Sequence, residues 1–157
     1  MTDRRRKSSS GVLAFRRGRD GLEVLLVHPG GPFWKNKDDG AWSIPKGELG
    51  AEEDPEKAAR REFAEELGPA ASIGQLRPLC EIRQRGGKRV VAFCGEGGFD
   101  PTRLVSNLFE IEWPLRTGRL QTFPEVDRAE WFDLDTAKKK ILSGQVELID
   151  MLTRLGV

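Results

Sequence analysis

One predicted helix constrains this chain more than any other feature. Asp54 followed by Pro55 is a start signal, because an aspartate accepts amide hydrogen bonds at the N-cap and proline at the first helical position gives up no bond. Gly68 followed by Pro69 is a stop. Between them Glu62, Glu65 and Glu66 stand at i, i+3 and i+4, which places three carboxylates within an arc of roughly 100°. Phe63 and Leu67 occupy the adjacent sector and must face a core. The acidic face therefore borders the buried one. Like charges at this spacing destabilise a helix by about 0.2–0.5 kcal/mol per pair in water, and by more where water is excluded. Something positive has to offset them.

Residues 41–68 hold seven glutamates and one aspartate, in a chain whose 26 basic and 25 acidic residues otherwise leave a net charge of +1. Arg61 as a neutralising partner, or a plain solvated face, would account for the helix. Neither accounts for the bend Pro45-Lys-Gly-Glu-Leu-Gly50 ahead of it, whose glycines let backbone carbonyls and amides approach a ligand closely. Three carboxylates and a backbone carbonyl suit a hard dication, Mg²⁺ or Mn²⁺, of the kind that keeps waters and binds phosphates. Zinc is disfavoured, since histidine and cysteine are missing from the neighbourhood.

The 157 residues are one domain's worth of chain. Residues 1–10, with Arg4, Arg5, Arg6 and Lys7, read as a disordered basic tail, and residues 11–157 as the domain. The balanced charge gives no overall field toward nucleic acid or membrane, and no apolar run approaches a membrane span of about 18 residues. Gly11–Arg16 and Leu22–Val27 read as paired strands, the second apolar enough to be covered on both faces. His28 reads as a polar cap at a strand end. Gln75–Gln84 and Lys88–Cys94 form a hairpin. With Arg85 paired to Lys88, Cys80 falls opposite Phe93 and the two cysteines lie on different faces, so a disulfide is not expected and a reducing, cytoplasmic setting is. Asn107–Trp113 reads as a half-buried strand and Ala129–Asp133 as another. Two C-terminal helical pieces follow, the first capped by Asp135, the second striped with Val146, Ile149, Leu152 and Leu155. The pattern is α/β with a mixed sheet.

Gly47, five residues, Glu53, seven residues, then Arg61-Glu62-Phe63-Ala64-Glu65-Glu66-Leu67-Gly68 resembles the signature box of the Nudix hydrolases, which cleave pyrophosphate bonds in nucleoside diphosphates linked to another moiety. Pro69 is the one departure, standing where that family has an aliphatic residue. The resemblance implies an α/β/α sandwich over most of residues 11–155. It implies that Glu62, Glu65 and Glu66, with the Gly47 carbonyl, bind catalytic divalent cations. Arg61 would orient the loop through Glu53. A further acid outside the box is typical, as ligand or base. Glu125 is the choice here, with Asp127 second and Glu110 and Glu112 behind.

Lys46 gives the form Pro-Lys-Gly, similar to branches acting on highly phosphorylated substrates. Arg83, Arg85, Lys88 and Arg89, with Lys35 and Lys37, are additional cations for a phosphate chain. Among Trp34, Trp42, Trp113 and Trp131, Trp34 is the stacking candidate because it sits in a polar loop. The expected function is Mg²⁺- or Mn²⁺-dependent hydrolysis of a nucleoside triphosphate or related nucleotide polyphosphate. The alternatives are a dinucleoside polyphosphate hydrolase, for which the lack of tyrosine is unfavourable, or a catalytically silent sensing domain, which the intact glutamates disfavour. The expected partner is a small nucleotide, with nucleic acid and membrane disfavoured, and the protein a monomer or homodimer.

Overall fold

The structure is a computed structural model that describes residues 8–157, Arg85 by its backbone alone. The tail residues Arg4, Arg5, Arg6 and Lys7 lie outside the described residues. Along the chain run β1 (Ser8–Gly18), β2 (Gly21–Pro29), β3 (Lys46–Glu48), α1 (Pro55–Leu67), β4 (Arg77–Arg83), β5 (Arg89–Glu96), β6 (Leu108–Glu112), β7 (Leu120–Pro124), β8 (Val126–Asp133), α2 (Leu134–Lys140) and α3 (Val146–Leu155). The main sheet has the order β4-β5-β1-β2-β8, with β3 also on β1; β1 and β5 are parallel, so the sheet is mixed. β6 and β7 form a separate two-stranded ribbon.

Both faces of the sheet are covered. Leu13, Val24 and Leu26 pack with Ala137 of α2 and Leu148, Ile149 and Leu152 of α3. Val12, Ala14, Leu25 and Val27, on the opposite face by strand alternation, pack with Ala59, Phe63 and Leu67 of α1. This is the expected α/β/α sandwich, and it explains why β2 is apolar at nearly every position.

α1 begins and ends where its capping residues predict. Asp54 Oδ2 accepts from the Lys57 amide at 3.0 Å. Gly68 takes φ 98° and donates its N–H to the Ala64 carbonyl at 2.7 Å. An added Cβ there would come within 2.6 Å of the Val105 carbonyl, so both the backbone angle and the space call for glycine.

Several sequence expectations need correction. Ser8, Ser9 and Ser10 are strand rather than tail: Ser9 and Ser10 pair with β3 on one side and β5 on the other, and Ser10 Oγ donates to the Pro55 carbonyl at 2.6 Å. A serine hydroxyl satisfied inside the fold leaves no apolar signal in the sequence. The β4–β5 turn holds three residues, with Gly86 and Gly87 at φ 86° and 83°. That moves the register by one, so Cys80 faces Ala92 instead of Phe93. Cys80 and Cys94 therefore border the same core cluster, and both are free thiols. α2 is capped by Asp133, which accepts from the Thr136 amide at 2.7 Å, and not by Asp135. β6 leaves the main sheet and pairs with β7, and Leu108 is largely exposed. β3 and β7 were absent from the sequence reading. No helix among the described residues is long and apolar enough to cross a membrane.

Candidate active site

The bend before α1 is fixed to the sheet by three β1–β3 pairs: Ser9 with Glu48, Ser10 with Gly47 and Gly11 with Lys46. This presses the Gly47 backbone against α1 so closely that a Cβ on Gly47 would collide with the Glu62 carboxyl. Gly47 and the acidic face are therefore in contact.

Arg61 is the hub of the acidic cluster. Its guanidinium meets Glu53 through two bonds, Nε to Oε2 and Nη2 to Oε1, both 3.0 Å. Nη1 also donates to Glu62 Oε2 at 2.7 Å and reaches Glu65 Oε2 at 3.4 Å. The forked pair with Glu53 pushes the Arg61 pKa up and, together with the Gly50 amide, pulls the Glu53 pKa down. Arg61 thus ties the loop to the helix through Glu53 and offsets the repulsion among the helix carboxylates.

Glu66 is the most perturbed group. Burial, then the charge of Glu62 and that of Glu125, raise its pKa from 4.5 to about 8, against the opposing pull of Lys46 and of the Lys46 backbone amide. Glu62 is raised by burial and by Glu65 and Glu125, with Arg61 acting against them. Crowded, desolvated carboxylates of this kind mark functional sites. Lys46 is shifted the other way, lowered first by burial and then by the positive charge of Lys88 nearby.

Lys46 and Glu66 open on a cavity of about 220 Å³, lined also by Trp34, Ser43 and Glu125 over an apolar floor that includes Val27, Ile44 and Leu142. Glu125 is therefore the acid outside the box that reaches the cluster. Asp127, the second choice, instead pairs with His28 at 2.8 Å. Glu112 accepts the Gly118 amide on the ribbon, and Glu110 lies across from Thr122 there. Arg83 sits across the hairpin from Arg89, outside the cavity lining. The Arg85 side chain is outside the described residues. Lys35 lines a different cavity, beside Trp113. His28 is no surface cap: it is 1% exposed and bonded at both ring nitrogens. Its partner Asp127 lies 99 residues away, so the contact left no local signal.

The donors suit a hard dication, being oxygens whose mutual repulsion a divalent charge would relieve. Among the described residues no three acidic side chains already converge as a ligand set. Arg61 holds Glu62 Oε2, and the Lys46 amide holds Glu66. A cation would compete for these oxygens.

One stability test follows from the sign of the Glu66 shift. Its folded pKa lies above its unfolded one, so between about 4.5 and 8 the fold keeps a proton that the unfolded chain releases. This contribution is complete below 4.5 and is lost as the pH rises to 8. The metal-free protein should therefore lose Tm over that range, and Glu66→Gln should flatten the slope. Calorimetry at stepped pH measures both.

The sequence profile of the NUDIX domain matches residues 5–152. The chain belongs to the Nudix family. It is a pyrophosphohydrolase by that membership, with the box carboxylates of the family in contact with its glycine bend. No curated protein is significantly similar in sequence. Solved structures share the fold: Caenorhabditis elegans Ap4A hydrolase in a binary complex is 20% identical, TM-score 0.61, over 94% of this chain and 96% of that one. The NUDIX domain of Shewanella oneidensis NrtR complexed with ADP ribose is 20% identical, TM-score 0.61, over 97% and 89%. RenU, a Nudix hydrolase from M. smegmatis, is 20% identical, TM-score 0.58, over 97% and 88%.

Proposed function

We propose that this Nudix protein hydrolyses a phosphoanhydride bond in a nucleoside triphosphate or related nucleotide polyphosphate, using Mg²⁺ or Mn²⁺ held by Glu62, Glu65, Glu66 and Glu125 with the Gly47 carbonyl. The observation that carries this reading is one cavity in which Glu66 and Glu125 meet Lys46 and Trp34. When bound, the dication neutralises pyrophosphate oxygens and lowers the pKa of a water ligand. Lys46 lines the cavity and Lys88 is near enough for its charge to act on it, so two cations meet the phosphate chain, which fits more phosphates than a diphosphate carries. Trp34 offers a flat face for a base. Arg61 keeps Glu53 and Glu62 in place without touching substrate, and Glu125, which lines the same cavity, accepts the proton of the attacking water. Dinucleoside polyphosphates are the second substrate class, favoured by the same lysine pair; no tyrosine is present to stack a second base. The two free thiols support a cytoplasmic setting for this single domain.

The test is a panel of nucleoside triphosphates, dinucleoside polyphosphates, nucleotide sugars and inositol pyrophosphates with Mg²⁺ or Mn²⁺, products resolved by chromatography. Failure to cleave any nucleotide with three or more phosphates overturns the reading. Lys88→Ala should raise KM for a triphosphate roughly tenfold, the scale of one lost charge-assisted contact, and leave a diphosphate sugar nearly unchanged. Trp34→Ala should raise KM about 5- to 100-fold, as expected for a lost base–aromatic stack. Steady-state kinetics on both substrate types measures these effects.

A further inference from the structure

His28 stands next to last in β2, its ring buried to 1% exposure and edge-on to Trp42, ring centres 5.2 Å apart. Its Nε2 donates to the Lys37 carbonyl at 2.7 Å, since a carbonyl only accepts, and its Nδ1 meets Asp127 Oδ1 at 2.8 Å. The two partners belong to different segments. The Lys37 amide in turn donates to the Trp34 carbonyl at 3.0 Å, so the bond from His28 reaches the turn that presents Trp34. Asp127 stands two residues after Glu125. A further bond joins the two segments near the same point, from the Gly30 amide to the Glu125 carbonyl at 2.9 Å. An added Cβ on Gly30 would collide with the Pro124 carbonyl, so the approach is tight.

We propose that His28 is a positioning residue that pins the Trp34 turn and the Glu125 strand start to each other, so that the base-facing and acid-facing walls of the cavity keep one spacing. It contacts no substrate. The linkage runs Glu125, Asp127, His28, Lys37, Trp34, and its rigidity comes from a ring that is buried and hydrogen-bonded on both edges. A Trp34 wall free to move would add ordering entropy to substrate binding, and a Glu125 wall free to move would weaken the cation site. The inference rests on this cavity being the substrate site.

His28→Phe keeps the ring against Trp42 and removes both bonds. Hydrogen exchange of the metal-free variant should speed roughly tenfold in residues 30–41 and 124–128 together, the scale of two lost hydrogen bonds, with α1 and β5 unchanged. In kinetics, KM for the nucleotide and the apparent Mg²⁺ constant should rise together by a similar factor, with kcat changing less. Exchange and both constants at wild-type values overturn the inference. Faster exchange across the whole chain would show a general loss of stability and also overturns it. If His28→Phe does not fold, Asp127 supplies the test. Asp127→Asn retains a bond, because an amide can donate to Nδ1, and should behave as wild type, whereas Asp127→Ala should show the paired change. Equal losses in the two would mean that Asp127 acts by its charge, and the inference fails. Trp34→Ala separates the two readings: normal nucleotide binding by that variant refutes the cavity as substrate site, while impaired binding beside a normal His28→Phe refutes only the pin.

Discussion

Glu66→Gln is expected to lower kcat by roughly 10³-fold, the upper range for removing one preorganised charge from a reacting site. The substitution keeps the side chain's volume and still accepts the Lys46 amide through its oxygen. What it removes is the negative charge that burial and Glu62 make costly to hold. Structure and function should therefore part company. The variant should melt no lower than wild type, and higher at pH 8, because it is relieved of an ionised carboxyl in a crowded site. Phosphate release and calorimetry on the same preparation check this. A variant that is inactive because it is unfolded, or as active as wild type, removes Glu66 from the role proposed for it.

Gly47→Ala should have the second largest effect. The added methyl meets the Glu62 carboxyl, and no rotation of the methyl relieves the clash. Either Glu62 leaves its place beside Arg61 or β3 moves away from α1. Moving β3 would strain its pairs with Ser9, Ser10 and Gly11. Displacing Glu62 is the smaller change, so the fold should survive with a loss of about 1–3 kcal/mol, as for other overpacked sites, while activity falls by about 10²-fold. Gly98→Ala, where an added Cβ meets nothing within 4 Å, is the control and should match wild type. Denaturant unfolding and kcat/KM measured side by side decide it.

The legible parts of this protein were those written in consecutive residues. α1 was readable at both ends because Asp54, Pro55 and Gly68 have local backbone reasons for being there, and its acidic and apolar faces followed from the helical period. Glu125 was readable as a candidate only through the family resemblance, which implies a further acid in the loop before the last strand of the sheet. The β4–β5 register was misread because two glycines at positive φ let a three-residue turn replace the assumed two-residue one, and one residue of slip exchanges faces. β3 is three residues long, too short for any alternation to show. β6 alternates as a half-buried strand should, and Phe109 and Ile111 are partly buried where Leu108 and Glu110 are exposed, but nothing in that pattern tells that its partner is β7 alone. The role of His28 depends on segments that only folding brings together.

The ribbon is rooted to the catalytic body by Asn107. Its amide donates to the Glu65 carbonyl at 3.2 Å, and its own carbonyl accepts the Glu125 amide at 2.7 Å. Its far end, around residues 114–118, is exposed and lies on no strand of the main sheet. Evolution therefore has a place to lengthen, trim or redecorate the chain without disturbing the spacing of Glu65 and Glu125. A graft at the tip should leave turnover intact, whereas one inserted residue at the root would shift the carboxylates against each other.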